Sequence, residues 1–277
     1  MRPFRLQGAH ALFACACLAL CTALPARAEW EKIQQSGHLK VAVYKDFAPF
    51  SDKAGGIDVD LAQALADKLG LKLSLMPFPA GEDLGDDLRN MVWKGHYLGF
   101  GPADVMLHVP VDGRMMARHG QVQIFAPYHV ETVRLVRSAA AIASFDGIES
   151  LRGKRIGVEK VSIAGMLMLG EADGKFRDDV RIFPSAAEAL EQLKAGRLDA
   201  VLANRSEIEA VFRGDPAFPL HALAFERLPR AGWALGMAVR KDEIDMARLL
   251  QSAMNALSES GELKAIFAKH GVQLAKP

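Results

Sequence analysis

The chain has 277 residues, of which 24% are charged and 50% are hydrophobic, and its formal net charge is +1 at pH 7. This balance, with no basic run, excludes the electrostatic footprint of a nucleic-acid-binding or membrane-surface protein. Beyond residue 28, no apolar run reaches the length that spans a bilayer, so the sequence predicts one large or two small globular domains.

The amino-terminal residues predict a cleavable signal peptide. Arg2 and Arg5 give a positive start, and Ala11–Leu24 is an apolar segment too short for a transmembrane helix. Ala26-Arg27-Ala28 has the small-x-small pattern of a cleavage site, which sets the leader at residues 1–28 and the mature start at Glu29. We therefore expect export to the periplasm.

All three cysteines, Cys15, Cys17 and Cys21, lie in this leader. The exported chain of 249 residues then has a net charge of −2 and no cysteine, which excludes a disulfide, a thiolate metal site and a cysteine nucleophile. A lipoprotein anchored through Cys21 is the alternative, although Leu20 stands where a small residue is favoured.

The first predicted unit after the leader is a strand, a loop and a helix. Leu39–Tyr44 alternates and is rich in β-branched residues, which favours a strand, and Gly55–Gly56 breaks the chain. From Ile57 to Leu69, apolar residues recur at helical spacing, and Asp58 and Asp60 occupy the first turn, where carboxylates are favoured. The loop follows the carboxyl end of a strand, where α/β sheets bind ligands.

Strands and helices alternate along the rest of the chain, which is typical of α/β architecture. The other predicted strands are Leu71–Met76, Asp104–His108, Glu131–Arg137, Lys154–Val158, Val180–Phe183, Ala200–Ala203 and Trp233–Val239. The other predicted helices are Asp83–Lys94, Gly113–Arg118, Ile163–Leu169, Ser185–Ala195, Arg205–Arg213, Asp242–Leu257 and Glu262–Lys269.

The alternating strands and helices fall into two series, the second of which begins with the strand Lys154–Val158, and this predicts two α/β lobes. We expect residues 29–133 with 236–277 to form lobe 1, and residues 134–235 to form lobe 2. The chain would cross between them near Val133–Arg137 and near Trp233–Met237. A cleft between lobes is a preferred ligand site and a natural hinge.

Motifs along the whole exported chain resemble the family 3 periplasmic solute-binding proteins. In order, they are SGHLKVAVYKDFAPF, GGIDVDLAQALADKLG, ADVML, FAPY followed by VRLV, LRGKRIGV, AGRLDAVLA, LGMAVRKD and SGELKAIFAKHG. The resemblance implies the type II periplasmic-binding-protein fold, whose two lobes close over a small solute. It also implies a monomer that delivers its solute to an ABC permease, without catalysis and without a cofactor.

The resemblance implies ligand positions in lobe 1, and some depart from the family pattern. Tyr44 stands where amino-acid-binding members carry an aspartate for the ligand ammonium, whereas Phe47 keeps the aromatic residue that stacks on the ligand. His108 lies at the end of the ADVML strand. It either contacts the ligand or is a structural histidine. Arg114, with Arg118 as second choice, resembles the arginine that pairs with the ligand carboxylate, and a surface role is its alternative.

The lobe 2 positions depart from the pattern too. Ser162 resembles the one retained hydroxyl residue of a glycine-threonine-threonine element, and Asn204 stands where a second ammonium-binding aspartate is expected. Because unpaired burial of a charge costs roughly several kcal/mol, the loss of both aspartates argues against an α-amino acid. It predicts a carboxylate-bearing solute, an alcohol-derived solute or no small ligand at all.

A second function stays open as an alternative. The insertion His96–Pro102, with Val109-Pro110 and Pro127-Tyr128, is similar to a subgroup associated with quinoprotein methanol and alcohol dehydrogenases. That similarity implies an accessory protein that contacts a periplasmic dehydrogenase, with Tyr97–Phe100 as an exposed aromatic contact.

A third function is dehydration of a carboxylic acid on the same fold. It needs a general acid in the cleft, for which Glu131, Asp112 and His108 are the candidates. His96, His108 and Asp112 match no metal-ligand spacing, and the chain has no nucleotide- or phosphate-binding motif, so we expect neither metal nor cofactor.

Overall fold

The computed structural model of the protein describes residues 24–170, 174–225 and 232–277. Residues 1–23, most of the predicted signal peptide, lie outside these ranges. Within the described ranges, no helix combines the length and apolarity that crossing a membrane requires.

Ten strands are present in the described part of the chain. They are β1 (His38–Tyr44), β2 (Lys72–Phe78), β3 (Val105–Pro110), β4 (Val122–Glu131), β5 (Val133–Arg137), β6 (Ile156–Glu159), β7 (Val180–Phe183), β8 (Ala200–Asn204), β9 (Leu220–His221) and β10 (Trp233–Arg240). The α-helices are α1 (Leu24–Ser36), α2 (Ile57–Lys68), α3 (Leu84–Leu88), α4 (Gly113–Arg118), α5 (Ile163–Gly170), α6 (Ala186–Lys194), α7 (Arg205–Phe212), α8 (Ile244–Glu259) and α9 (Glu262–Lys269). A π-helical turn, Arg89–Trp93, continues α3, and a 3-10 turn spans Ile148–Leu151.

The strands form two five-stranded mixed sheets, with orders β2-β1-β3-β10-β4 and β7-β6-β8-β5-β9. In the first sheet β1 pairs in parallel with β2 and β3, and β10 is antiparallel to β3 and β4. In the second, β6 is parallel to β7 and β8, and β5 is antiparallel to β8 and β9. We call the units built on these sheets lobe 1 and lobe 2, and the predicted α/β fold is confirmed.

The chain passes between the sheets at Thr132, because β4 ends at Glu131 and β5 begins at Val133. It returns to the first sheet between Phe225 and Gly232, a segment whose residues 226–231 lie outside the described ranges. Thr132 is therefore the passage between the sheets that the described residues contain.

The sequence missed most of β4 and merged its end with β5. Proline is disfavoured inside a strand, yet the structure places Pro127 in β4, which is an edge strand of the first sheet. Ala126 has a φ of 50°, and the register of β10 against β4 shifts at this point. The proline therefore sits in a bulge, where no regular ladder hydrogen bond is required of it.

Two helix predictions also need correction. The predicted helix Asp83–Lys94 is shorter, because the chain leaves α-helical geometry after Leu88 and continues as the π-helical turn. The sequence did not predict α1, whose Trp30 and Ile33 pack against the core of lobe 1.

Alternating burial explains why each sheet is covered on both faces. In β1, Leu39, Val41 and Val43 join one apolar cluster with α2 and α8, while Ala42 joins a second cluster on the other face. The sheet of lobe 2 is likewise buried between two clusters, one of which contains Leu190 of α6. Such sandwiched sheets fix where the strand ends and their loops lie.

Gly56 shapes the loop that enters α2. Its φ is +151°, and a Cβ at this position would lie 2.2 Å from the backbone oxygen of Phe50. We expect Gly56→Ala to lower the free energy of unfolding by about 2 kcal/mol or more, since backbone strain and overpacking each cost about 1–3 kcal/mol. Urea denaturation measures this loss.

Gly55→Ala is the matched control. Gly55 has a φ of +112°, but a Cβ there would meet nothing within 4 Å. It should cost only the backbone strain, about 1 kcal/mol. Equal losses for the two variants would contradict the steric explanation.

Candidate functional site

A cavity of about 380 Å³ lies between the lobes. Residues 46–48 and 52–54 of the β1–α2 loop line one side, and Glu159, Ser185–Ala187 and Glu207 line the other. Every wall segment follows the carboxyl end of a strand, which is where α/β sheets place ligand sites. The volume suits a small organic molecule.

Aromatic rings form the lobe 1 side of the cavity. Phe47 lines it, and its ring centroid lies 5.4 Å from that of Phe50 and 4.8 Å from that of His108. His108 is only 9% exposed and has a φ of 61°, a conformation that non-glycine residues seldom adopt. Phe47 therefore reaches the cavity, and His108 lies behind the rings.

A buried hydrogen-bond network anchors this aromatic wall. Asp58 in the first turn of α2 is fully buried, and one carboxylate oxygen lies 3.1 Å from His108 Nδ1. Its other oxygen accepts a hydrogen bond of 3.1 Å from the Tyr128 hydroxyl. That hydroxyl also accepts the His108 backbone N–H, at 3.1 Å. The network joins α2, β3 and β4, so it fixes His108 as a structural support of Phe47.

Tyr44 does not line the cavity. Its hydroxyl donates to Asp87 Oδ2 at 2.8 Å, and its ring packs against Phe78 with centroids 4.9 Å apart. Burial first, and the Asp87 charge second, raise the pKa of Tyr44, so the hydroxyl is a neutral donor. Tyr44 therefore ties β1 to α3.

The remaining predicted site residues have other positions. Arg114 is exposed on α4 and is not among the cavity-lining residues. Ser162 caps α5: its hydroxyl donates to the Glu159 carbonyl at 2.8 Å and accepts from the Gly165 N–H at 2.9 Å. The backbone N–H of Asn204, at the start of α7, donates to Glu207 Oε2 at 2.9 Å. Ser162 and Asn204 therefore hold the segments that carry two carboxylates.

Those two carboxylates, Glu159 and Glu207, line the cavity and were not predicted. Within the described ranges, the Glu159 carboxylate has no hydrogen-bond or ion-pair partner. Burial, followed by the charges of Glu159 and Glu131, raises the pKa of Glu207 to about 8, and burial raises the pKa of Glu159. Glu159 is the last residue of β6, and Glu207 lies three residues after β8. These positions at the carboxyl ends of two strands are the signal that could have identified them.

A third carboxyl group lies behind them at the passage between the lobes. Glu131 is 1% exposed, and its Oε1 accepts the N–H groups of Thr132 at 2.8 Å and Ser206 at 3.4 Å. Its Oε2 is buried and has no hydrogen-bond partner among the described residues. Burial raises the pKa of Glu131. The interlobe seam is therefore acidic.

The nearest arginine of α7 does not neutralise this acidity. Arg205 Nε pairs with Glu209 Oε1 at 2.6 Å, and its Nη2 donates to the Gln273 carbonyl at 2.6 Å. The guanidinium is thus already shared between a carboxylate of its own helix and the carboxyl-terminal tail.

The carboxyl-terminal tail also joins the lobes. The Ala275 N–H donates to His129 Nδ1 at 3.2 Å, so the ring proton lies on Nε2, which donates to Ser206 Oγ at 3.1 Å. Burial lowers the pKa of His129 to about 3, which keeps the ring neutral. A β4 residue of lobe 1 and an α7 residue of lobe 2 are therefore held together by a neutral hydrogen bond.

The raised pKa of Glu207 predicts how unliganded stability depends on pH. A carboxyl group whose pKa rises from 4.5 to about 8 on folding holds an extra proton in the folded state. Stability is therefore lost as the pH rises toward 8, by at most about 1.4 kcal/mol per pH unit for one proton. Between pH 6.5 and 8, Glu207→Gln should lose less stability than the wild type, because the contribution of His129 is the same in both proteins. Urea denaturation at both pH values measures the difference, and parallel curves would contradict the assignment.

No known family profile matches the chain. Curated relatives that span most of it are solute-binding proteins. The L-cystine-binding protein TcyJ of Escherichia coli strain K12 is 22% identical over 244 residues, which cover 86% of this chain and 84% of that protein. The probable histidine-binding protein of Neisseria gonorrhoeae is 26% identical over 252 residues, which cover 86% of this chain and 85% of that protein.

Among solved structures, an ancestral cationic amino acid solute-binding protein, AncCDT-1, matches the fold with a TM-score of 0.68. It is 20% identical and covers 88% of this chain and 99% of its own. The strand order and the two lobes thus define a type II periplasmic-binding-protein fold. The chain therefore shares this fold and is similar in sequence, over most of its length, to proteins named as binding proteins.

The comparisons give little support to the two other functions. A match to the cyclohexadienyl dehydratase of Pseudomonas aeruginosa is 41% identical but covers only 24% of this chain and 28% of that enzyme. The relatives that span most of the chain are named as binding proteins. The loop predicted to contact a dehydrogenase does expose Tyr97 (87%) and Leu98 (69%).

Proposed function

We propose that the protein is exported to the periplasm and binds a small, positively charged organic solute between its lobes for delivery to an ABC permease. The observation that carries this proposal is the acidic cavity. Glu159 and Glu207 line it, and Glu131 lies behind it. Carboxylates that lack a protein cation at an interlobe cavity are suited to an ammonium or guanidinium group.

The relatives support a charged, nitrogen-rich solute. One is named for histidine and one solved neighbour for cationic amino acids, while another relative is named for cystine. The proposal replaces the expectation of a carboxylate-bearing, non-amino-acid solute. That expectation followed from Tyr44 and Asn204, and it overlooked Glu159 and Glu207, which lie at other positions of the same cleft.

Lobe closure gives the mechanism. The hinge segments let lobe 2 bring Glu159 and Glu207 toward the Phe47 side of lobe 1. A cation that contacts both sides favours the closed state by its differential affinity for it. Phe47 adds an aromatic face, against which a cation is attracted by the ring quadrupole.

A thermal-shift panel tests the proposal. Arginine, lysine, agmatine and cadaverine are compared with glutamate and succinate at the same millimolar concentrations. Because a ligand that binds only the folded state stabilises it by mass action, at least one cation should raise the melting temperature and the anions should not. A rise in melting temperature with the anions alone would refute the proposal. The absence of any rise with all six compounds would also refute it.

A further inference from the structure

The charges around the cavity are unbalanced for an amino acid. The lining residues include four carboxylates, Asp46, Asp52, Glu159 and Glu207, against one cation, Lys53. Asp46 is paired with Lys45 at 3.8 Å, so three of these carboxylates remain against Lys53. Lys53 is exposed on the loop before α2. An amino acid with a cationic side chain brings two positive groups and one carboxylate, and the carboxylate would enter this acidic surrounding.

No arginine among the described residues lines the cavity to receive that carboxylate. Arg114, the predicted partner, is exposed on α4. Arg205 is held by Glu209 and by the Gln273 carbonyl. Since a planar guanidinium is the side chain best suited to a bidentate carboxylate contact, the site lacks the usual means of holding an α-carboxylate.

The amino-terminal end of α6 is the other group that favours an anion here. Ala186 and Ala187 line the cavity, and Ser185 accepts the Glu188 N–H at 3.2 Å as the helix cap. A helix end contributes about 0.3–1 kcal/mol to an anion. A charge-assisted hydrogen bond contributes about 1.5–3 kcal/mol, so two carboxylates that favour a cation outweigh one helix end.

Glu131 adds an independent sign that positive charge is missing. Its carboxyl group is 1% exposed, and Oε2 is buried with no hydrogen-bond partner within the described ranges. Its negative charge acts on Glu207, which is one cause of the raised pKa of that residue. A buried polar atom without a partner is uncommon in native proteins. It adds negative potential directly behind the cavity.

We infer that the solute is an organic amine or guanidine that carries no carboxylate, with its cationic group between Glu159 and Glu207. This inference rests on the proposed function, because it specifies the chemical class of the same cationic solute. Its apolar part would lie against Phe47, whose ring forms the opposite wall.

Matched pairs of ligands test the inference. Isothermal titration calorimetry at pH 8 compares agmatine with arginine, cadaverine with lysine and histamine with histidine. The members of each pair differ by the α-carboxylate alone. We expect the decarboxylated member of the best-bound pair to bind at least tenfold more tightly. Equal or tighter binding of the amino acid would overturn the inference and leave the proposed function standing, whereas no binding by any of the six would refute the proposed function itself.

Two variants locate the carboxylate of any amino acid that binds. If Arg114 or Lys53 held it, Arg114→Ala or Lys53→Ala would weaken the amino acid at least tenfold and leave its decarboxylated partner unchanged, which would also overturn the inference. We expect Arg114→Ala, whose residue lies outside the cavity lining, to leave agmatine binding within twofold of the wild type.

Discussion

Glu207→Gln is expected to weaken the binding of the tightest cation by tenfold or more, and Glu159→Gln to have a similar effect. A hydrogen bond to a charged group contributes about 1.5–3 kcal/mol, which corresponds to roughly 10- to 150-fold in affinity. The double variant should show no measurable heat of binding. Isothermal titration calorimetry at pH 8, where Glu207 with its pKa of about 8 is substantially ionised, gives the affinities.

Glutamine is the informative substitution because it keeps the local structure. Its side-chain oxygen still accepts the Asn204 N–H that Glu207 Oε2 now accepts at 2.9 Å. Glu191→Gln is the matched control, since Glu191 is an exposed carboxylate on α6 and does not line the cavity. If Glu191→Gln lowered the affinity as much as Glu207→Gln, long-range charge rather than contact would explain binding.

Asp58→Ala is expected to cause the largest loss of stability, about 3 kcal/mol or more. The variant leaves both His108 and the Tyr128 hydroxyl buried without this partner. A buried polar group that loses its partner costs about 1–3 kcal/mol. The affinity for a cation should fall as well, because the network supports the aromatic wall that contains Phe47.

Two further variants calibrate this loss. Tyr128→Phe removes one of the two contacts of Asp58 and should cost less than Asp58→Ala. Asp67→Ala on the exposed face of the same helix removes only a 2.8 Å hydrogen bond from Gln63 and should change stability by less than about 0.5 kcal/mol. If urea denaturation showed that Asp58→Ala lowers the free energy of unfolding no more than Asp67→Ala does, the network would not stabilise the fold.

The fold was predictable because its signals are local. Alternation in β1 and helical spacing in α2 come from burial on defined faces, and the structure contains both elements. The β4 strand escaped prediction because Pro127 is tolerated there through an edge position and a bulge. That bulge depends on pairing with β10, which is distant in sequence. The residues around Pro127 give no signal of this pairing.

The candidate site was predictable only in part. Phe47 was predicted from a motif with a fixed place in the family, and the structure places it in the lining of the interlobe cavity. Tyr44 and His108 were not distinguishable from ligand contacts, since the partners that bury them, Asp87 and Asp58, come from other elements. Which carboxylates face the cleft depends on how the two lobes meet, and that geometry is not encoded in the spacing around Glu159 or Glu207.

A crystal structure of the protein with the tightest-binding cation of the panel tests the central claim most directly. We expect the ligand between the lobes, with its ammonium or guanidinium nitrogens at hydrogen-bond distances, about 2.7–3.2 Å, from the carboxylates of Glu159 and Glu207. A ligand bound outside the cleft, or one whose cationic group lies away from both carboxylates, would contradict the account.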